Sequence, residues 1–203
     1  MKKLSKQFYG SKDVVKMARA LLGKLLITEF DGKRCVARIV ETEAYIGLTD
    51  RASHSFGGKR TARNEHMYAA GGTAYVYICY GMHHLFNVVT NKKDIPDAVL
   101  IRALEPVEGI PFMLQRTGKK KPDHTLTRGP GNAAKAMGIS KIHSGMDLQG
   151  MEIYIAGDGV KLKNDQVGAS GRIGVEGAGA FAASLPYRFY IRRNPFVSGS
   201  PVT

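Results

Sequence analysis

The apolar positions along the chain change period several times, and each change marks an element. Val14, Val15, Ala18, Leu21 and Leu22 recur at helical spacing, which predicts a helix from about Lys12 to Leu22, capped by Ser11 and stopped by Gly23. Two strand-like runs follow. Lys24 to Phe30 ends on Asp31-Gly32, a dipeptide suited to a tight hairpin turn, and Cys35 to Tyr45 returns as its partner. A polar, basic, glycine-containing stretch from Gly47 to Gly72 then breaks the pattern. It is too long for an ordinary connection, and loops of that length often carry function. Thr73 to Tyr80 and His84 to Thr90 read as strands about a turn at Gly81-Met82, with Val99 to Leu104 as another short strand. A helix is expected over Val107 to Gln115, although Gly109 and Pro111 oppose it. Gly118 to Arg128 is polar and basic and reads as mobile. Pro130 opens a short helix from about Gly131 to Met137, stopped by Gly138. Met151 to Ala156 and Arg188 to Ile191 read as late strands. No segment repeats and no linker divides the chain. Strands joined by turns predict mostly antiparallel pairing in one mixed α/β (α+β) domain spanning 1–203.

Charge adds the first functional constraint. Lys and Arg number 30 against 17 Asp and Glu, a net charge of +13. A balance this basic predicts attraction to polyanions: nucleic acid, an anionic membrane surface or a phosphorylated substrate. No run approaches the roughly 18 apolar residues of a membrane span, no basic amphipathic helix suits a membrane surface, and Met1 to Lys6 lacks the apolar run of a signal peptide. A cytoplasmic location is expected. Cys35 and Cys79 have no paired spacing, so neither a disulfide framework nor a cysteine zinc site is expected, and both read as small buried apolar residues. His54, His66, His83, His84, His124 and His143 show no metal-ligand spacing such as H-E-x-x-H. No metal or other cofactor is expected.

Four segments can carry chemistry, each with a plainer reading beside it. In Arg38 to Tyr45 (RIVETEAY), strand alternation puts Ile39, Glu41, Glu43 and Tyr45 on one face and Val40, Thr42 and Ala44 on the other. A glutamate two residues from a tyrosine suits a general base beside an aromatic wall; it also suits an ordinary solvated strand face. In Ala74 to Met82 (AYVYICYGM), Tyr75 and Tyr77 share one face and Tyr80 lies on the other, beside the turn. Such tyrosines pack in sheets, yet in a basic protein they also stack on unpaired bases or wedge into a base stack. Arg51 to Asn64 is a basic loop fit for phosphates or for nothing beyond solvent; its His54 stands alone, and a lone histidine is more often structural than catalytic. Gly129-Pro130-Gly131 ahead of a helix is a weak phosphate signal. Ser170 to Val175 lacks the spacing and flanking elements of a dinucleotide site, and no serine nucleophile elbow or kinase set occurs.

Taken together, the chain resembles a bacterial member of the alkyladenine (3-methyladenine) DNA glycosylase family. The blocks that carry the resemblance are Arg38 to Tyr45, His54 to Gly58, Thr61 to Asn64, Gly72 to Met82, Asn87, Leu100 to Pro106, Arg172 to Val175 and Pro186 to Ile191, in family order across nearly the whole chain. The resemblance implies a single compact domain with a curved antiparallel sheet, flanking helices and a protruding β-hairpin that inserts into DNA. It implies that Glu43 is the general base and holds the attacking water with Arg102 and the main-chain carbonyl of Ile173. It makes Tyr45, His54 and Tyr77 the walls of a pocket for the flipped base. Asn87 becomes a lining residue that screens exocyclic groups, and Tyr80, with Met82, the filler of the gap in the duplex. Lys59, Arg60 and Arg63 in the basic loop are assigned to the DNA backbone. Departures from the mammalian members occur at His83 (tyrosine is common there), Lys59 (arginine) and Gly177 (histidine); they bear on damage spectrum and wedge, not on chemistry. Lys59 raises a Schiff-base lyase as an alternative, which the family's hydrolytic pattern disfavours.

The expected function is therefore removal of alkylated or deaminated purines (3-methyladenine, 7-methylguanine, ethenoadenine, hypoxanthine) from duplex DNA by a monomeric, nucleoid-associated enzyme. A non-catalytic nucleic-acid-binding module is the alternative, but it has no need of Glu43 with Arg102. A small-molecule hydrolase sits poorly with a charge of +13.

Overall fold

Strands dominate the architecture. The structure, a computed structural model, describes residues 1–199, so the last four residues of the expected 1–203 domain lie outside the described residues. The strands are β1 (Lys2–Lys3), β2 (Leu25–Phe30), β3 (Lys33–Tyr45), β4 (Ala74–Cys79), β5 (His83–Thr90), β6 (Asp97–Glu108), β7 (Ile153–Gly157), β8 (Val167–Ser170) and β9 (Arg188–Ile191). They pair antiparallel in one open sheet ordered β1-β7-β2-β3-β6-β5-β4, and β9 joins β3 to β8 along a second edge. Five helices flank the sheet: α1 (Lys6–Tyr9), α2 (Val14–Leu21), α3 (Ile110–Thr117), α4 (Pro130–Met137) and α5 (Ala180–Ser184). The expected mixed α/β, antiparallel domain is thus observed.

The main core lies between the sheet and α2, α3 and α4. Met17, Leu21, Leu26, Ile39, Ile101, Leu104, Met113, Met137 and Ile155 are buried there together. Each such side chain contributes roughly 1.5–3 kcal/mol on leaving water. The polar residues of the site collect on the opposite face of β3 and β6.

Several expectations are corrected in detail. The cap of α2 is Asp13, not Ser11: the Lys16 N–H donates to Asp13 Oδ1 at 2.9 Å, while Ser11 Oγ accepts from the Asp13 N–H at 3.3 Å. The helix expected from Val107 starts instead at Ile110, because β6 continues to Glu108 against β3. Gly109 makes the corner at φ +80, and a Cβ there would lie 2.3 Å from the Arg34 carbonyl oxygen, so only glycine fits. At the β4–β5 tip the turn begins one residue early, with Tyr80 and Gly81 both at positive φ and the Met82 N–H donating to Cys79 O. The end of the stretch expected to be mobile is packed: Asp123 caps a short turn at His124–Leu126, and Leu126 and Thr127 are fully buried.

The most consequential correction concerns β3. Ile39 pairs with Leu104 and Glu41 with Ala103, so Val40 is an extra residue on β3; Thr42 then pairs with Ile101, so Arg102 is an extra residue on β6. Each bulge reverses the alternation of its strand. Ile39 accordingly lies in the core with Ala44, and Thr42 donates its hydroxyl to Ala18 O of α2. Val40 lies instead with Ala103, Tyr190 and Val197. Glu41, Glu43 and Tyr45 remain on one face, but Ile39 is not with them and Val40 is.

Candidate active site

The sheet register assembles the site. Glu43 pairs with Leu100, Leu100 with Asn87 and Asn87 with Tyr75, a single row across β3, β6, β5 and β4. Tyr77 and Leu85 pair in the next row toward the hairpin tip. Two adjoining hollows open over this surface. The larger, about 340 Å³, is lined by Glu43, Arg102, Tyr80, Ile173 and the stretch Arg128–Asn132 that leads into the start of α4. The smaller, about 190 Å³, is lined by His54, Tyr75, Asn87, Met67 and Ala98. Tyr45, Tyr77, Cys79 and Gly174 belong to both.

Glu43 is fully buried yet well supplied with donors. The Ile173 N–H donates to Oε1 at 3.0 Å, the Tyr45 hydroxyl donates to Oε2 at 2.8 Å, and Arg102 Nη1 stands 3.4 Å from Oε1. Burial pushes its pKa above the ordinary carboxylate value; Arg102, the Ile173 amide and the Tyr45 hydroxyl pull it back, and Glu41 adds to the rise. Ile173 thus meets Glu43 through its N–H. Burial and the neighbouring Glu43 charge raise the Tyr45 hydroxyl well above its usual range, so it stays a donor.

The aromatic wall is ordered by contacts among its members. His54 lies edge-on to Tyr77, ring centres 4.5 Å apart, with Nδ1 2.9 Å from the Tyr75 hydroxyl. Burial, then Arg63 and Lys59, lower the His54 pKa, which favours the neutral ring. Asn87 is buried and donates from Nδ2 to Tyr75 O at 3.1 Å and Leu85 O at 3.3 Å. Tyr80 and Met82 at the hairpin tip are 86% and 72% exposed, so neither serves the core. His83 is exposed beside them, and its ring packs on Gly131.

The basic loop is more ordered than its composition suggests. Asn64, nearly buried, donates to His54 O at 3.0 Å and Lys59 O at 2.8 Å and accepts from the Thr61 N–H. The three cations assigned to the DNA backbone are placed differently. Lys59 is exposed. Arg60 pairs with Glu65 and with Asp94. Arg63 donates to Ile78 O at 3.1 Å and lies 5.8 Å from the Tyr77 ring centre, bracing the hairpin.

Residues outside the expected set complete the site. Arg172 is buried, forks onto both oxygens of Asp50, and donates to Ala44 O and Ala182 O. Its guanidinium covers one face of Tyr45, 4.7 Å from the ring centre. One residue on, the Ile173 N–H reaches Glu43, so this ion pair anchors both a cavity wall and a carboxylate ligand. Arg172 belongs to Arg172–Val175, one of the blocks that carry the resemblance; Asp50, 122 positions earlier, has no local signal. Cys35 is buried as expected, but Cys79 is only half-buried, against the cavities. Among the described residues, no three His, Cys, Asp or Glu side chains converge as a metal-ligand group.

A buried carboxylate held by donors beside an aromatic hollow, on a cationic α+β scaffold, has the parts of a hydrolase that takes a planar, nucleobase-like group. The comparison with known families makes this specific: the methylpurine-DNA glycosylase model matches residues 7–195, and the chain belongs to that family. It is therefore a DNA glycosylase, a hydrolase of N-glycosyl bonds acting in DNA repair, and not a binding module alone. Among its relatives, proteins of Desulfitobacterium hafniense and Alkaliphilus oremlandii are 44% and 45% identical, the alignments covering 98% and 97% of this chain and 99% and 98% of theirs. A Chlamydia pneumoniae protein is 43% identical over 93% of this chain and 94% of its own. All three are provisionally named 3-methyladenine DNA glycosylases.

Proposed function

We propose that the chain flips alkylated purines, 3-methyladenine and 7-methylguanine first among them, out of duplex DNA and hydrolyses the N-glycosidic bond with a water activated by Glu43. The observation that carries this is the Glu43 carboxylate, fully buried yet lining the larger hollow, where it accepts from the Tyr45 hydroxyl and the Ile173 N–H and pairs with Arg102, beside the smaller hollow. A base stacked in a duplex is out of reach, and extrusion costs a few kcal/mol, least for a damaged or mismatched base. Tyr80 offsets part of that cost by filling the vacated stack, with Met82 beside it. The base enters the smaller hollow between Tyr45 and Tyr77, against His54, and Asn87 screens its exocyclic groups. A neutral His54 does not repel a cationic base, and aromatic faces attract one.

Alkylation at N3 or N7 has already made such a base a good leaving group. Its bond to C1′ breaks with the electron pair going to the base, and positive charge grows on the sugar. Ionised Glu43 favours that charge and takes a proton from the water that bonds to C1′, leaving an abasic site. Arg102 and Ile173 hold the carboxylate and water in line. Neutral bases such as hypoxanthine and ethenoadenine, which need ring protonation to leave, react more slowly. Net charge and the basic loop, Lys59, Arg60 and Arg63, add affinity for phosphates without regard to sequence. The enzyme acts as a cytoplasmic monomer at the nucleoid.

The test is release of free base from duplexes carrying each lesion, with and without a β-elimination step. Wild-type protein yields free methylpurine and strand breaks only after that step. Glu43→Gln loses at least about 10²-fold in single-turnover release while binding lesion DNA as before. Full activity of Glu43→Gln refutes the base assignment, and breaks without the elimination step point to a lyase instead.

A further inference from the structure

We propose that Glu41 is a positioning residue for base excision: with Ser198 it holds Arg102 by one edge, so that Arg102 supports Glu43 without capturing it. The inference rests on the proposed role of Glu43. Glu41 is fully buried and reaches neither cavity, so it touches neither substrate nor water. Its oxygens are nonetheless crowded with donors. Oε1 accepts from Arg188 Nε at 2.6 Å; Oε2 accepts from the Ser198 N–H at 2.8 Å and from the Ser198 hydroxyl at 2.7 Å, which also lies 2.9 Å from Oε1. Arg102 Nε lies 3.3 Å from Glu41 Oε1 and donates to Ser198 Oγ at 3.0 Å. Toward Glu43, Arg102 Nη1 stands 3.4 Å from Oε1.

That division has a chemical consequence. A guanidinium facing a single carboxylate grips it through two parallel hydrogen bonds. Such a grip on Glu43 would occupy both oxygens, stabilise the anion and weaken it as a base. Glu41 competes for Arg102 and prevents this. Two carboxylates and two guanidiniums, Arg102 and Arg188, also leave the cluster neutral, which lets it be buried. Ser198 comes from the segment after β9, pinned independently by Val197 in an apolar cluster and by Arg128 Nε donating to Val197 O at 2.8 Å. The Arg188 guanidinium donates to Ser198 O. The stretch after β9 is therefore a strap whose Ser198 side chain completes the Arg102 mount.

The test is the pH profile of single-turnover release from duplex DNA carrying 3-methyladenine and 7-methylguanine, for wild type, Glu41→Gln, Ser198→Ala and Glu43→Gln. The charged and titratable groups around Glu43 are Arg102, Glu41, Tyr45, Tyr77 and Arg172, with Cys79, Tyr80, His83 and Arg128 lining the same hollow, and only Glu41 and the set of Arg102 change in the first two variants. Removing the Glu41 charge lets Arg102 close on Glu43, and both effects lower the Glu43 pKa. Glu41→Gln is expected to lose about 10²-fold in plateau rate, the scale of a misplacement of about 1 Å, while its acidic limb moves to lower pH and lesion binding is unchanged. Ser198→Ala moves both quantities in the same directions by a smaller factor. A wild-type plateau in folded Glu41→Gln, or a lost plateau with an unmoved limb, overturns the proposal. If Glu41→Gln fails to fold, a wild-type profile in Ser198→Ala overturns it. Activity in Glu43→Gln, or none in wild type, refutes the underlying assignment instead.

Discussion

The Tyr45 hydroxyl donates to Glu43 Oε2 at 2.8 Å, so the wall of the smaller hollow is bonded to the carboxylate of the larger one. The bond joins residues two apart on β3 and fixes ring and carboxylate together. It also lowers the pKa of a carboxylate that burial raises.

Tyr45→Phe keeps the ring and removes that donor. Excision requires ionised Glu43, so its rate falls as pH drops through the Glu43 pKa. Losing a donor raises that pKa further, and the acidic limb of the pH–rate profile moves to higher pH. Single-turnover excision across pH 4.5–8 checks this; an unmoved or downward-moved limb contradicts it.

Tyr80→Ala removes a side chain that the fold does not use. Thermal stability should be unchanged, while affinity for a lesion duplex falls by the roughly 1–3 kcal/mol of one stacked base, about 5- to 150-fold in Kd. Titration with a labelled duplex and a melting curve separate the two effects.

Asp50→Asn leaves the Arg172 guanidinium buried without its counter-charge. Breaking a buried pair costs about 3–5 kcal/mol, which for a domain of this size lowers Tm by roughly 6–20 °C. Because Arg172 backs Tyr45 and adjoins Ile173, residual folded enzyme should also lose excision rate. Calorimetry and rates at low temperature test both; a wild-type Tm contradicts the anchor role.

The basic loop predicts unequal salt effects. Lys59→Ala should reduce the slope of log K against log salt by about one, as expected for a lost phosphate contact. Arg60→Ala should change it less, since Glu65 and Asp94 already neutralise that side chain. Binding isotherms at several salt concentrations distinguish them, and equal slopes would show that Arg60 leaves its partners on DNA.

Much of the molecule is legible in the residues. Asp31-Gly32 announces the β2–β3 hairpin, Pro130 and Gly138 bound α4, and the β4–β5 hairpin with its exposed tyrosine follows from alternation about a turn. The short elements escape such reading: β8 holds only Val-Gly-Ala-Ser, with no periodic signal, and α5 is little more than one turn. Glu43 and Tyr45 are legible as neighbours on a strand face, but burial of that face is not, because it depends on Arg102, Arg172 and Ser198 arriving from distant parts of the chain. Family blocks point to Arg102 and Arg172; nothing local points to Asp50 or Ser198. Counting charges also misses pairing, which is why Lys59 and Arg60 look alike in sequence and differ in space.

The two extra residues Val40 and Arg102 act as a matched phase change. Before them β3 turns its odd-numbered side chains, Cys35, Ala37 and Ile39, to the helices; after them it turns even-numbered ones, Thr42 and Ala44. Deleting Val40 alone would send Glu41, Glu43 and Tyr45 toward the hydrophobic interior and Thr42 and Ala44 toward the cavity. Deleting Arg102 alone would shift β6 out of step with its partner. Only a compensating pair of changes keeps interior and cavity in frame, so this stretch can accept many substitutions but almost no change in length.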